Sequence, residues 1–242
     1  PDATVRKATL HAVGDRQGNI GTGALHAYAD KLSGYNLITG GYSPFGNQRT
    51  LKLTLDAAFN VTAYKAMDGR KGTVGVYNYK TGEILCMVST PSYDPDNPPD
   101  NLDSEEYQGV YLNRFLSSAI VPGSIFKIVT LNAALENIPD LANRTWDCTG
   151  SVTVGGTEIT CPYAHGKQDI TAAFANSCNG VFAQLAAEMG GATMQKYAEK
   201  AGLTSSLSID GIKTAKGTFD FKNGDTGQIA WSGVGQGKDA LN

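Results

Sequence analysis

The texture of apolar and polar positions changes near residue 49. Residues 1–48 are rich in Gly, Ser, Asn and Tyr, with short apolar stretches such as Ala8–Val13 and Gly21–Leu32, which is the pattern of a connecting region. From Arg49 the chain reads as a folded domain. Thr50-Leu-Lys-Leu-Thr-Leu55 alternates with the period of a strand, and Asp56 stands where a helix cap belongs, ahead of Phe59, Ala63 and Met67 on one face and Gly69 as a stop. Thr73–Tyr79 and Glu83–Thr90 flank a turn at Lys80-Thr-Gly82, and the apolar run Ile84–Val88 predicts a strand covered on both faces. Residues 91–110 hold Pro91, Pro95, Pro98 and Pro99 among acidic residues and predict a surface loop. Helices are expected from Ser124 to Glu136, from about Ser177 with Phe182, Leu185, Ala186 and Met189 on its inner face, and from Thr193 to a stop at Gly202. Strand and helix mix without regular βαβ alternation, so the expected class is α+β.

Composition narrows the function classes. With 41% hydrophobic and 18% charged residues over 242 positions, the chain has the balance of a globular protein. Twenty Lys+Arg against 23 Asp+Glu give a net charge of -3, so there is no basic field for nucleic acid and none is expected as a partner. No apolar run reaches the roughly 18 residues of a membrane span. The opening Pro1-Asp2-Ala3-Thr4 lacks both Met and the form of a secretory signal, and is read as internal to a longer protein.

The four cysteines, Cys86, Cys148, Cys161 and Cys178, are too few for a disulfide scaffold. Cys148 and Cys161 flank a stretch whose Gly155-Gly156 sits between β-branched runs, a hairpin that can bring the sulfurs together. Three readings stay open: a disulfide, a structural zinc site with His165 and Asp147, or two unlinked thiols beside a packed histidine. No metal is assigned.

Two short motifs carry chemistry. In Ser124-Ile-Phe-Lys127 a serine in the first helical turn has a lysine on the same face one turn later. A serine hydroxyl becomes a good nucleophile when a base takes its proton, and lysine is that base only when burial or a neighbouring cation lowers its pKa; Phe126 and Ile128 flank it as an apolar setting. The ordinary alternative is an N-cap serine followed by a solvated lysine. Ser177-Cys-Asn179 opens the next expected helix, offering a hydroxyl for proton relay and an amide for a peptide substrate; its ordinary reading is again a cap. Other chemistries lack their parts: the three histidines, His11, His26 and His165, form no His-Glu-x-x-His, and no candidate nucleophile sits in Gly-x-Ser-x-Gly.

Taken together, Pro122-Gly-Ser-Ile-Phe-Lys127 followed by Ser177-Cys-Asn179 resembles the active-site series of penicillin-recognising serine enzymes. With Thr54-Leu-Asp-Ala57, Tyr79-Lys-Thr-Gly-Glu-Ile-Leu85, Ser89-Thr-Pro-Ser-Tyr-Asp-Pro95, Leu112-Asn-Arg114, His165-Gly166 and Gly235-Gln-Gly237, the stretch from about Arg49 to Gly237 is similar to class B penicillin-binding proteins. The resemblance implies the penicillin-binding protein and serine β-lactamase-like fold, an antiparallel sheet flanked by helices. Residues 1–48 would end an N-terminal pedestal or linker, and residues 49–242 would form a partial transpeptidase domain. It implies a D,D-transpeptidase with Ser124 as nucleophile, Lys127 as base, Ser177 as proton relay and Asn179 as a substrate-binding arm. No cofactor is needed. Peptidoglycan stem peptides, β-lactams and wall-synthesis proteins such as a glycosyltransferase are the implied partners, at the outer face of the bacterial cytoplasmic membrane, with an anchor outside this sequence.

The family's third element, Lys-Thr-Gly on a strand well after Gly-Gln-Gly, has no counterpart after Gly237, so the chain is expected to stop before it. Lys80-Thr81-Gly82 precedes Ser124 and matches a hairpin turn instead, and His26, where the family often has Glu, is assigned no role. The rival readings are a β-lactamase or β-lactam sensor of the same fold, and a non-catalytic scaffold of a wall-building complex.

Overall fold

The computed structural model describes residues 1–36, 41–42, 49–221 and 224–237. The chain forms two compact units, Pro1–Ser118 with Ser208–Thr214, and Ala119–Leu207 with Ala215–Asn242. The boundary expected after residue 48 adjoins residues 43–48, outside the described residues. No helix among the described residues is long and apolar enough to cross a membrane.

In the first unit, helix α1 (Ala3–Val13) begins where the Asp2 carboxylate accepts from Val5 N at 2.9 Å and ends at Gly14, whose φ of 93° suits glycine. Its Leu10 joins Ile20, Tyr93 and Val110 in one cluster, so two apolar residues of the expected surface loop are in fact buried. Prolines exclude regular structure there, but they do not keep single side chains out of a core. Helix α2 (Ala57–Met67) has the predicted cap, Asp56 accepting from Phe59 N at 2.9 Å. Phe59 itself is 52% exposed, and the inward position next to it belongs to Asn60. Asn60 is buried because it serves as a backbone surrogate: its Nδ2 donates to Leu85 O at 3.1 Å and its Oδ1 accepts from Met87 N at 3.1 Å.

Strands β1 (Gly72–Tyr77) and β2 (Ile84–Thr90) pair antiparallel from Gly72↔Thr90 to Tyr77↔Ile84, with a bulge between Val76 and Tyr77. Of the predicted apolar run, Cys86, Met87 and Val88 are buried while Ile84 and Leu85 are only partly so, and burial continues through the polar Ser89 and Thr90. Thr50–Leu55, expected as a strand, joins no ladder. It meets β2 through Thr54 Oγ1, which donates to Ile84 O at 2.7 Å, and Asp56 N just beyond it donates to Leu85 O at 2.8 Å. Alternation gave its extended form, but partners decide whether an extended segment is a strand.

In the second unit a 3-10 turn, Gly123–Phe126, runs into helix α3 (Lys127–Asn137). Strands β3 (Trp146–Cys148) and β6 (Gly166–Gln168) pair with each other, and β4 (Ser151–Val154) pairs with β5 (Thr157–Thr160) around Gly155-Gly156, whose φ values of 57° and 80° fit a tight hairpin turn. Helix α4 (Ile170–Ala175) follows, and then α5 (Asn179–Lys200), which breaks at Gly190 (φ 77°, ψ 162°) into the two helices the sequence predicts. Helix α6 (Thr226–Gly233) packs along α5. Val181, Phe182 and Leu185 of α5 form the centre of the core with Ile159, Ala173, Ala230 and Val234, each fully buried large side chain contributing about 1.5–3 kcal/mol.

Candidate active site

The first motif is set by a glycine contact. Gly123 (φ 61°) donates its backbone N–H to Gly235 O at 2.8 Å, and a Cβ on Gly235 (φ 79°) would come within 2.0 Å of Gly123 O. The Ser124 turn therefore rests on bare backbone. One residue beyond that turn α3 begins, and Thr130 Oγ1 donates to Gly233 O at 2.8 Å, fixing α3 against the same segment.

The second motif sits in the turn between α4 and α5. Ser177 has φ of 52°, left-handed backbone that a non-glycine residue adopts at a cost of about 1 kcal/mol. That conformation turns both its hydroxyl and its carbonyl toward Lys127. Asn179 opens α5, and its Nδ2 donates to Thr160 O at 2.7 Å, so its Oδ1 faces the lysine.

Lys127 Nζ is the point where these groups meet. It lies 3.1 Å from Ser124 Oγ, 2.9 Å from Ser177 Oγ, 2.6 Å from Ser177 O and 2.7 Å from Asn179 Oδ1. All four residues singled out from the sequence thus form one hydrogen-bonded set. Lys127 is 1% exposed, with the Phe182 ring 5.9 Å from Nζ. Burial disfavours the ammonium and brings its pKa down from 10.5 to about 8, against an opposing pull from Cys161 and Cys178. The apolar setting is not the one expected: Phe126 is buried, but Ile128 is 61% exposed, because residues adjacent on a helix point about 100° apart. Phe182, fifty-five positions on, takes its place.

Beside this set, Cys148, Cys161, His165 and Cys178 bring three sulfurs and one ring nitrogen within 4.8 Å of one another. Cys148 Sγ and Cys161 Sγ are 3.8 Å apart, well beyond a disulfide bond, and the cysteines are unlinked. Asp147, considered as a fourth ligand, is not in the cluster; Cys178 stands there instead. Lys80-Thr81-Gly82 forms the turn of the β1–β2 hairpin, with Gly82 N donating to Asn78 O at 2.7 Å.

The sequence reading gave no role to Gly235, to Thr160 or to α6. For α6 a signal was present: Asp225 and Gln228 form a reciprocal capping box, legible as Asp-x-x-Gln. The Thr160 carbonyl had none, since a backbone group is indifferent to its side chain.

Comparison with known proteins supplies the family. Residues 72–242, well over half the chain, match the penicillin binding protein transpeptidase domain. A probable peptidoglycan D,D-transpeptidase, PenA of Neisseria gonorrhoeae, is 35% identical over 97 residues, covering 37% of this chain and 16% of that protein. The D,D-transpeptidase domain of a peptidoglycan glycosyltransferase from Eggerthella lenta is 26% identical with a TM-score of 0.73, covering 92% of this chain and 55% of that one. Penicillin-binding protein A of M. tuberculosis, solved as a penicillin G acyl-enzyme, aligns with a TM-score of 0.80 at 23% identity over 98% of this chain and 61% of that one. The α+β fold expected from the sequence is the fold of these structures. This chain spans less than two thirds of each of these relatives. The four motif residues lie inside the matched region, and the chain belongs to the penicillin-binding protein transpeptidase domain family.

Proposed function

We propose that the chain carries the acyl-transfer centre of a peptidoglycan D,D-transpeptidase, with Ser124 as nucleophile. The observation that supports this most is the buried Lys127 amine in reach of two hydroxyls and an amide oxygen. In its neutral form the amine takes the Ser124 proton as Oγ bonds to the carbonyl carbon of the penultimate D-Ala of a stem peptide. The oxyanion is stabilised by the Ser124 backbone N–H at the head of α3. The tetrahedral carbon then expels the terminal D-Ala, its nitrogen receiving a proton by way of Ser177. Asn179 holds the acyl-side amide. An amine from a second strand attacks the ester, its proton returning through Ser177 and Lys127, and Ser124 is released with its hydroxyl restored. The nucleophile, the base and the proton relay are all groups of this chain, so the reaction calls for no cofactor.

A β-lactam enters by the same attack, but its leaving nitrogen remains tethered to the acyl group. That predicts a long-lived adduct. Residues 1–48 serve in this reading as the end of a pedestal or linker before the transpeptidase domain. The enzyme acts at the outer face of the cytoplasmic membrane and works beside a glycosyltransferase; the Eggerthella lenta relative, a D,D-transpeptidase domain of a peptidoglycan glycosyltransferase, supports the second of these.

The test is intact-protein mass after incubation with benzylpenicillin. One added β-lactam on the wild type and none on Ser124→Ala is the expected result. A folded wild type that takes up no β-lactam overturns the reading in favour of a scaffold, and rapid release of hydrolysed penicillin overturns it in favour of a β-lactamase.

A further inference from the structure

We propose that Cys148, Cys161, His165 and Cys178 form a tetrahedral site for a zinc-class divalent ion, a metal that the acyl-transfer reading neither needs nor assigns. The four donors come from separate segments. Cys148 ends β3 and pairs with Gly166 of β6; Cys161 follows β5, with its N–H on Gly150 O at 2.8 Å; His165 immediately precedes β6; and Cys178 is the residue before α5. Twelve residues separate Cys148 from Cys161, three separate Cys161 from His165 and twelve more lead to Cys178, so the fold rather than a local run assembles the set.

The spacing is that of a coordination sphere. With metal–sulfur bonds of about 2.3 Å, tetrahedral geometry puts neighbouring sulfurs roughly 3.8 Å apart, and a sulfur and a nitrogen roughly 3.5 Å apart. The Cys148–Cys161 and Cys161–Cys178 sulfur pairs are each 3.8 Å apart, and Cys148 Sγ lies 3.3 Å from His165 Nδ1. A disulfide would need about 2.05 Å between sulfurs. Thiols are weak hydrogen-bond donors, so three of them packed around an imidazole gain little from one another, and as thiolates they repel unless a cation lies among them. Cys178 is fully buried and Cys148 nearly so, which closes the site on the protein side. Three sulfurs and an imidazole select a soft or borderline ion such as zinc over magnesium or calcium, which require oxygen donors. Four protein ligands leave no open position, the mark of a structural site. The ion joins both strand pairs to the turn carrying Ser177 and Asn179, because its ligand Cys178 lies between them in sequence. Cys178 is thereby a positioning residue for the lysine's partners.

Metal analysis of the intact chain, purified under reducing conditions with zinc in the medium, tests the site independently of any acylation. About one zinc per chain is expected, falling to roughly a tenth of that in Cys161→Ser and His165→Ala, with His165→Cys retaining it because a thiolate replaces the imidazole. Cys86→Ala is expected to leave the metal content unchanged. Cobalt(II) exchanged into the site is expected to give the intense visible ligand-field bands and thiolate charge transfer of a tetrahedral sulfur-rich centre. A folded, reduced wild type with no zinc and no such cobalt spectrum overturns the proposal; so does metal that survives in both ligand-removing variants. Chelation is expected to slow benzylpenicillin uptake and zinc to restore it. Failure to acylate with zinc bound counts against the transpeptidase reading alone.

Discussion

Lys127 has to be both buried and uncharged to take a proton from Ser124, and its surroundings favour both. A lysine titrating near 8 rather than 10.5 is mostly ammonium below that pH and mostly free amine above it. Only the free amine accepts a proton, so the rate of acylation is expected to rise with pH through about 8 and level off beyond, falling about tenfold per unit on the acid side. A rate flat from neutrality upward would remove Lys127 from the role of base. Lys127→Met keeps the buried stem and deletes the amine; the acylation rate is expected to drop by about 10²–10⁴. Ser177 combines two properties that substitution separates. Ser177→Gly relieves the positive φ and loses the hydroxyl, so it is expected to gain up to about 1 kcal/mol in a denaturant titration while turning over poorly with a peptide substrate. Ser177→Ala should turn over as poorly without the gain.

Helices and turns approach each other through glycine in the second unit, and those contacts fix the Ser124 turn. Gly235→Ala must force its methyl into Gly123 O, 2.0 Å away, in a backbone conformation that already disfavours a side chain. A loss of about 2 kcal/mol or more, with slowed acylation, is expected. Gly156→Ala is the control: it has the same sign of φ (80°) but nothing within 4 Å of the added methyl, and should cost only about 1 kcal/mol with acylation intact. Equal effects in thermal melts and acylation assays would mean that the close approach of Gly235 is not what holds the Ser124 turn. The α5–α6 contact has the same character, since a Cβ on Gly233 would meet Ala186 Cβ at 2.2 Å.

The first unit encloses a titratable group in its core. His11 is 1% exposed, its Nε2 lies 2.7 Å from Val110 O, and desolvation lowers its pKa from 6.5 to about 4. Because the unfolded chain binds a proton below 6.5 and the folded one only near 4, the unit is expected to lose stability as pH falls across that window, by about 3 kcal/mol when complete. Denaturant titrations at pH 7 and 4 check this, and His11→Gln should flatten the difference. Nothing in the periodicity marked His11 as buried, because a histidine on a helix face is equally at home in water. The capped start of α2, the β1–β2 hairpin with its largely buried second strand, and the break between the two halves of α5 were all legible, since each depends on a residue's own conformational preference or on apolar spacing. So was the identity of the four motif residues, which the resemblance supplied. Thr50–Leu55 and Ile128 were misjudged because a pattern's period does not say what lies opposite. The sequence by itself determined the family and the α+β class and named the four motif residues that the fold then brings together, for those follow from residue types at short range and from motif order. Only the tertiary structure decided that Lys127 meets Ser177 and Asn179 across fifty residues, that Phe182 rather than Ile128 lies beside it, that Gly235 supports the Ser124 turn, and that four scattered sulfur and nitrogen ligands share one small volume. Those are distances between segments, set by how helices and hairpins pack.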